Sequence, residues 1–285
     1  MRWRQGRRST YVEDRRGRRM AGRRGVQLGG GAGIIALVVV VLLLGGDPST
    51  ILSMLQEGGG PMGPSTSREN SAPPQDDEQA QFVSVILADT EDTWSRIFER
   101  GGARYQPPTL VLYSDMTQTA CGYGSAASGP FYCPGDRKVY LDLGFFNELR
   151  RLGAPGDFAR AYVIGHEIAH HVQNLVGTMD KVNAARSRSG QVTANRLSVL
   201  LELQADCYAG VWGHHAHKAR NVLEEGDVEE GLQAASAIGD DRLLAMAGRS
   251  VHPDSFTHGS SEQRVTWFRT GLKTGDLGAC DTFAD

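Results

Sequence analysis

Long apolar runs are scarce in this chain of 285 residues: only 25–46 lacks charge over a spanning length, and no second such run follows. That absence excludes a site sunk in the bilayer for anything farther along the chain. No internal repeat is present, so no repeat architecture is expected. Cysteine is sparse, with 4 in all. A large net charge is missing too, the formal total being -3.

The near-balance of charge conceals an asymmetry. Residues 1–24 hold ten arginines against Glu13 and Asp14, a net of +8, and the remaining 261 residues carry -11. A basic end and an acidic body belong in different surroundings. The uncharged 22 residues, with the centre IIALVVVVLLL at Ile34–Leu44, suffice for one crossing, which takes about 20 residues. Arginines before the run and acids beyond Asp47 predict a single-pass protein of the inner (plasma) membrane. Its N-terminus is expected in the cytoplasm and its body in the periplasm or outside the cell. A cleaved signal peptide is the competing reading, but no A-x-A-like site follows Leu44 and the basic region is longer than such signals carry. The arginines as a nucleic-acid patch are set aside, because a membrane segment directly follows them.

The cysteines suit that topology. Cys121 and Cys133 flank the loop CGYGSAASGPFYC, leaving Cys207 and Cys280 as a second candidate pair. Four cysteines allow three connectivities, so proximity alone suggests these two bridges. Disulfides persist outside the cytosol; free buried thiols are the alternative.

The segment EGGGPMGPSTSRENSAPPQDDEQA (57–80) offers almost nothing to bury and reads as a tether. The expected division is a basic cytoplasmic segment (1–24), a transmembrane anchor (25–46), a flexible linker (47–80) and one folded domain (81–285). Apolar spacing predicts helices at 82–100, about 157–176, about 194–215, 227–238 and 260–272. Strands are expected at 109–115 and 138–143. The domain is therefore α+β, mainly helical, with a small sheet.

GHEIAHHVQ (165–173) places His166 and His170 four apart, so on a helix both imidazoles reach one ion. Glu167 stands beside that face, able to contact a water without ligating the metal. By chance the pentad occurs in such a chain about once in a hundred, so a third ligand is the stricter test. LLELQADCYAG (200–210) supplies one: Glu202 with Asp206 one turn on. Two histidines and a glutamate are a standard catalytic zinc set that leaves a position open for water. Asp206 is then placed to accept a hydrogen bond from the outer nitrogen of a ligating histidine. A solvated face is the bland reading of these acids, but Leu200, Leu201, Leu203, Ala205, Tyr208 and Ala209 mark a buried helix, where carboxylates need partners.

Other third ligands fail. The metzincin pattern requires Gly at 173 and His at 176, where this chain has Gln173 and Val176. His214, His215 and His217 read as a solvated helix end, and His171 as structural. Arg160 and Asp180 bracket the metal helix, which also argues against a site within lipid.

The chain resembles the bacterial "putative neutral zinc metallopeptidase" family, a membrane-anchored, gluzincin-like group. RWRQGRRSTYVEDRRG, the apolar run, GHEIAHHVQ, ELQADCYAGVW and DSFTHGSSEQRVTWF carry the resemblance, which spans all but the tether. It implies one Zn2+ per chain on His166, His170 and Glu202, with Glu167 as the base, in a zincin-like peptidase domain acting on a peptide or protein. A donor to the developing oxyanion is needed; His258 is the candidate, Tyr208 a weaker one, and a helix-capping loop histidine the alternative for His258. The strand at 138–143, if an exposed edge, could pair with an extended peptide. The rivals to an endopeptidase are a non-catalytic, zinc-stabilised envelope scaffold and a hydrolase of non-protein amides.

Overall fold

The computed structural model describes residues 1–17 and 72–284. The expected anchor at 25–46 and most of the expected linker lie outside the described residues. Among those described, no helix is long and apolar enough to cross a membrane. The architecture is mainly helical α+β with two small sheets.

β1 (Val12–Asp14), β2 (Thr109–Tyr113), β5 (Phe131–Cys133) and β6 (Lys138–Asp142) form one sheet in the order β1-β2-β6-β5. β1, β2 and β6 are parallel, and β5 runs antiparallel to β6. β3 (Met116–Thr119) and β4 (Gly122–Ser125) make a separate hairpin. TLVLY reads as a continuous apolar run because a central parallel strand is buried on both faces. The expectation that strand 138–143 offers a free edge is overturned. β6 is paired on both sides, and β5, three residues too short to register as a strand from sequence, ends the sheet instead.

The domain boundary at residue 81 also moves. Met1–Gly17 belong to the same folded unit as the body: Leu110 N donates to Tyr11 O at 2.8 Å and Arg15 N to Leu112 O at 2.7 Å. Val-Glu-Asp is a poor strand by composition. It is buried because Glu13 accepts from Arg15 and from Lys138 Nζ (2.8 Å), while Asp14 pairs with Arg16.

The helices are α1 (Glu78–Arg100), α2 (Phe145–Arg151), α3 (Asp157–Leu175), α4 (Thr178–Arg186), α5 (Gln191–Arg220), α6 (Asp227–Ala237), α7 (Asp240–Met246) and α8 (Ser261–Thr274). α1 starts earlier than its apolar stripe suggests because Asp77 caps it, accepting from Ala80 N at 3.0 Å. α5 runs past the expected end and absorbs GHHAHK. His214 and His215 there bond the carbonyls of Leu272 and Gly275 at 3.0 and 2.9 Å and so brace the end of α8, while His217 is exposed as expected. The Cys207–Cys280 disulfide fastens the C-terminal tail to α5, and Cys121–Cys133 joins the end of the hairpin to β5.

α5 and α8 touch backbone to backbone. A Cβ added at Gly271 would strike the Cys207 carbonyl oxygen, and one at Gly210 the Phe268 carbonyl oxygen. Neither obstacle is a flexible side chain, so the helices themselves must move apart. Gly271→Ala is expected to cost about 3 kcal/mol. At 2–4 °C per kcal/mol for a domain of this size, its Tm in a thermal scan falls by roughly 6–12 °C.

Candidate metal centre

α3 lies close on α5, where a Cβ at Gly165 would come within 2.7 Å of Trp212. That contact aligns the next residue of α3, His166, with Glu202 and Asp206 of α5. His166 Nε2 is 3.1 Å from Glu202 Oε2, and His170 Nε2 is 3.4 Å from Glu202 Oε1. Donor atoms of these three residues lie within 4.8 Å of one another, a group able to hold a metal ion.

The outer nitrogens decide whether the inner ones can ligate. His166 Nδ1 faces Asp206 Oδ1 at 2.8 Å. A carboxylate only accepts, so Nδ1 carries a proton and Nε2 is the nitrogen left to bind a metal. For His170 the logic runs through Gln173. That amide donates from Nε2 to Leu201 O (2.7 Å) and Gln204 Oε1 (3.1 Å), leaving Oε1 to accept from His170 Nδ1 at 2.9 Å. Both histidines therefore turn their inner nitrogens toward the Glu202 carboxylate, where a bound ion would take the place of a proton between them. The donor set fits a divalent ion of zinc's ligand preference.

Asp206 is fully buried and its charge is met on every side. Tyr162 Oη donates to it at 2.5 Å, and Arg264 donates from Nε and Nη2, each at 2.9 Å. Burial alone would raise this carboxyl, but the Arg264 guanidinium and His166 hold it below the usual range. Burial likewise disfavours an imidazolium at His166, yet Asp206 and Glu202 outweigh it and lift that pKa to about 10. The pocket thus stabilises positive charge between these acids, the electrostatic condition for retaining a cation.

Glu167 is 8 % exposed and, among the described residues, its carboxylate makes no hydrogen bond or ion pair. Burial pushes its carboxyl upward, against the pull of His166 and His170. His258 is half-exposed; its Nδ1 lies 3.1 Å from Asp240 Oδ1. Asp240 Oδ2 in turn accepts from the backbone N–H of Thr257, His258 and Gly259. Tyr208 does not reach the site: it packs against Trp94 with ring centroids 5.8 Å apart. His171 is structural as expected. Burial holds its pKa near 4, Nε2 donates to Gln106 O at 2.7 Å, and Nδ1 accepts from Tyr132 Oη at 3.0 Å. Asn174 also donates to that hydroxyl, so Tyr132 bolts β5 to α3.

His166, Glu167, His170, Glu202, His258 and Arg264 open onto one cleft of about 480 Å³. Its apolar walls include Phe131 and Tyr132 of β5, Val163, Leu201, Ile238 and Leu243. Sequence reasoning missed Arg264, Gln173, Tyr162 and Asp240. Of these, Arg264 left one trace: it shares the i, i+4, i+7 stripe of α8 with buried Phe268 and Gly271, an odd place for an arginine without a buried partner.

A family model described as "Putative neutral zinc metallopeptidase" matches residues 1–283. "Uncharacterized protein YpfJ" of Escherichia coli (strain K12) is 49% identical over 287 residues, spanning 99% of each chain. "Uncharacterized protein Rv2575" of Mycobacterium tuberculosis (strain H37Rv) is 37% identical over 239 residues, covering 78% of this chain and 80% of that one. No solved structure matches.

Proposed function

The chain belongs to that neutral zinc metallopeptidase family, and from this premise we propose that it is a zinc-dependent endopeptidase with a zincin-like domain. The observation that carries the reading is the convergence of two tautomer-fixed histidines and Glu202 beside a buried carboxylate, Glu167, that has no structural employment. A purely structural zinc site normally closes itself with four protein ligands. Among the described residues only three come together, with a cleft in front of them.

His166, His170 and Glu202 would hold the ion, which supplies Lewis acidity to a water and to the scissile carbonyl when bound. Glu167 takes the attacking water's proton at its carboxylate and hands it to the departing amine. An extended peptide lies along β5, the sheet's end strand at the cleft, with apolar side chains against Phe131, Leu201 and Leu243. His258 donates to the oxyanion from Nε2, since Asp240 engages Nδ1. The two disulfides favour an oxidising compartment for the domain.

The test uses the full chain. Near one zinc per chain is expected, with cleavage of an unstructured protein that a chelator abolishes and added zinc restores. Zinc without cleavage of any peptide or protein would leave a scaffold.

The His258 role makes a separate prediction. Losing an oxyanion donor lowers kcat by about 10²–10³, the effect expected for His258→Ala. The Asp240 hydrogen bond raises the His258 pKa against burial. Donation needs the protonated ring, so activity persists below that raised pKa and is lost as pH climbs through it. Asp240→Asn removes the cause, and the alkaline limb of the kcat/KM profile should move to lower pH. An unmoved limb would remove His258 from the mechanism.

A further inference from the structure

Taken as a peptide site, the cleft before the metal centre leaves its peptide undefined beyond apolar contacts. One wall of it is more specific. Met179, Asn183 and Arg186 of α4 all line the cleft. They stand at i, i+4 and i+7, so one face of this helix forms a stretch of wall. Met179 is buried, whereas Asn183 and Arg186 are exposed. The face thus passes from apolar to cationic over roughly two turns, ~10 Å at the helical rise.

Two arginines line the cleft, in opposite states. Arg264 is buried and grips Asp206 through Nε and Nη2. Arg186 makes no ion pair among the described residues, and its side chain's one hydrogen bond there runs from Nη1 to Asn183 Oδ1 at 3.4 Å. Its Nε and Nη2 are left over, the same edge by which Arg264 holds a carboxylate with two parallel bonds. No acid of the wall competes for it: among the described residues the acids lining the cleft are Glu167 and Glu202, both at the metal centre.

The neighbouring chain has the same sign. Residues 181–200 hold Lys181, Arg186, Arg188 and Arg196 and no acid, in a body whose residues beyond 24 carry -11. None of these four cations is ion-paired among the described residues, whereas Arg151, Arg160 and Arg220 elsewhere on the body are. A local excess of positive charge on an acidic body draws an acidic chain to this rim and repels it elsewhere.

On the reading of the cleft as a peptide site, we infer that Arg186 is a specificity-determining residue. It receives a carboxylate of the bound polypeptide, and the preferred substrates are acidic segments. An apolar side chain packs on Met179, and the acid lies about three residues away, the extended length that matches ~10 Å. The competing role for Arg186 is local, a cation in the last turn of α4 that offsets the helix dipole. That role would move stability and leave the choice of peptide untouched.

The test reads binding and cleavage separately on the zinc-loaded full chain. End-blocked fluorescent peptides with an apolar centre differ only by Glu against Gln, exchanged at each position in turn. Binding is followed by fluorescence anisotropy on Glu167→Gln, and cleavage on the unsubstituted chain. At a confined position the Glu peptide should bind about 3–5-fold more tightly, the strong end of an exposed ion pair. Added salt should shrink that ratio. Arg186→Gln should erase it, Arg186→Lys should restore part of it, and Arg186→Glu should turn the preference toward a Lys peptide. A parallel pair with free and amidated C-termini separates the two sources of a carboxylate. A preference for the free end that Arg186→Gln abolishes would uphold the contact and assign it to chain ends. Binding of neither peptide, equal binding throughout, or a preference that survives Arg186→Gln would overturn the inference. A binding preference without any cleavage would uphold it and count against the endopeptidase reading alone.

Discussion

Replacing Glu167 with glutamine is expected to abolish turnover while leaving the metal in place. Glutamine keeps the shape and can still touch a water, but it cannot take a proton. General base catalysis contributes about 10²–10⁴ in rate. Because the same group must also return the proton to the amine, a loss of kcat near the top of that range is expected. KM should change little, since the cleft walls are untouched. Stability separates this result from trivial unfolding. Glu167 is buried, lifted by that burial, and unpaired among the described residues. Removing an uncompensated buried carboxyl does not weaken the fold and can strengthen it. The variant should therefore melt at or above the temperature of the unsubstituted chain and carry the same metal per chain. Full turnover in Glu167→Gln would refute its role as base. Loss of the metal would make it a ligand.

That site was legible because its decisive pairs are four residues apart on helices, where sequence spacing translates directly into a shared face. His166 with His170 and Glu202 with Asp206 could be read off before any fold was known. The pairing of those two faces followed from the chemistry of the ligand set. What escaped was held by long-range partners. Gln173 looked like a departure from another zinc motif, and its amide fixes the His170 tautomer only through Leu201 and Gln204 on α5. β1 and β5 are three residues each, below the length at which alternation is visible. The ion pairs that Arg2, Arg4, Arg7 and Arg16 make with acids of the body were invisible for a physical reason. Charge near an apolar run carries the same sequence signature whether water, lipid headgroups or the protein's own carboxylates neutralise it.

Arg264 is where removing one side chain should reach both the fold and the metal. It sits 58 residues from Asp206, 2 % exposed, and gives that carboxylate two hydrogen bonds of 2.9 Å. Arg264→Leu leaves Asp206 buried with only Tyr162 and His166 as partners. Breaking a buried ion pair from one side costs about 3–5 kcal/mol, because the remaining charge is uncompensated. In the metal-free protein that should lower Tm by roughly 6–20 °C at 2–4 °C per kcal/mol. Metal affinity should fall as well, by about 10–100-fold, the usual effect of disturbing a carboxylate that orients a ligating histidine. The two losses have different origins, and a second variant separates them. Asp206→Asn keeps a hydrogen-bond acceptor for His166 but removes the charge, stranding Arg264. It should destabilise comparably while costing less metal affinity than Arg264→Leu if orientation dominates, and more if charge does. Unchanged metal affinity in Arg264→Leu, with the fall in Tm intact, would make the arginine a packing element with no hold on the metal site.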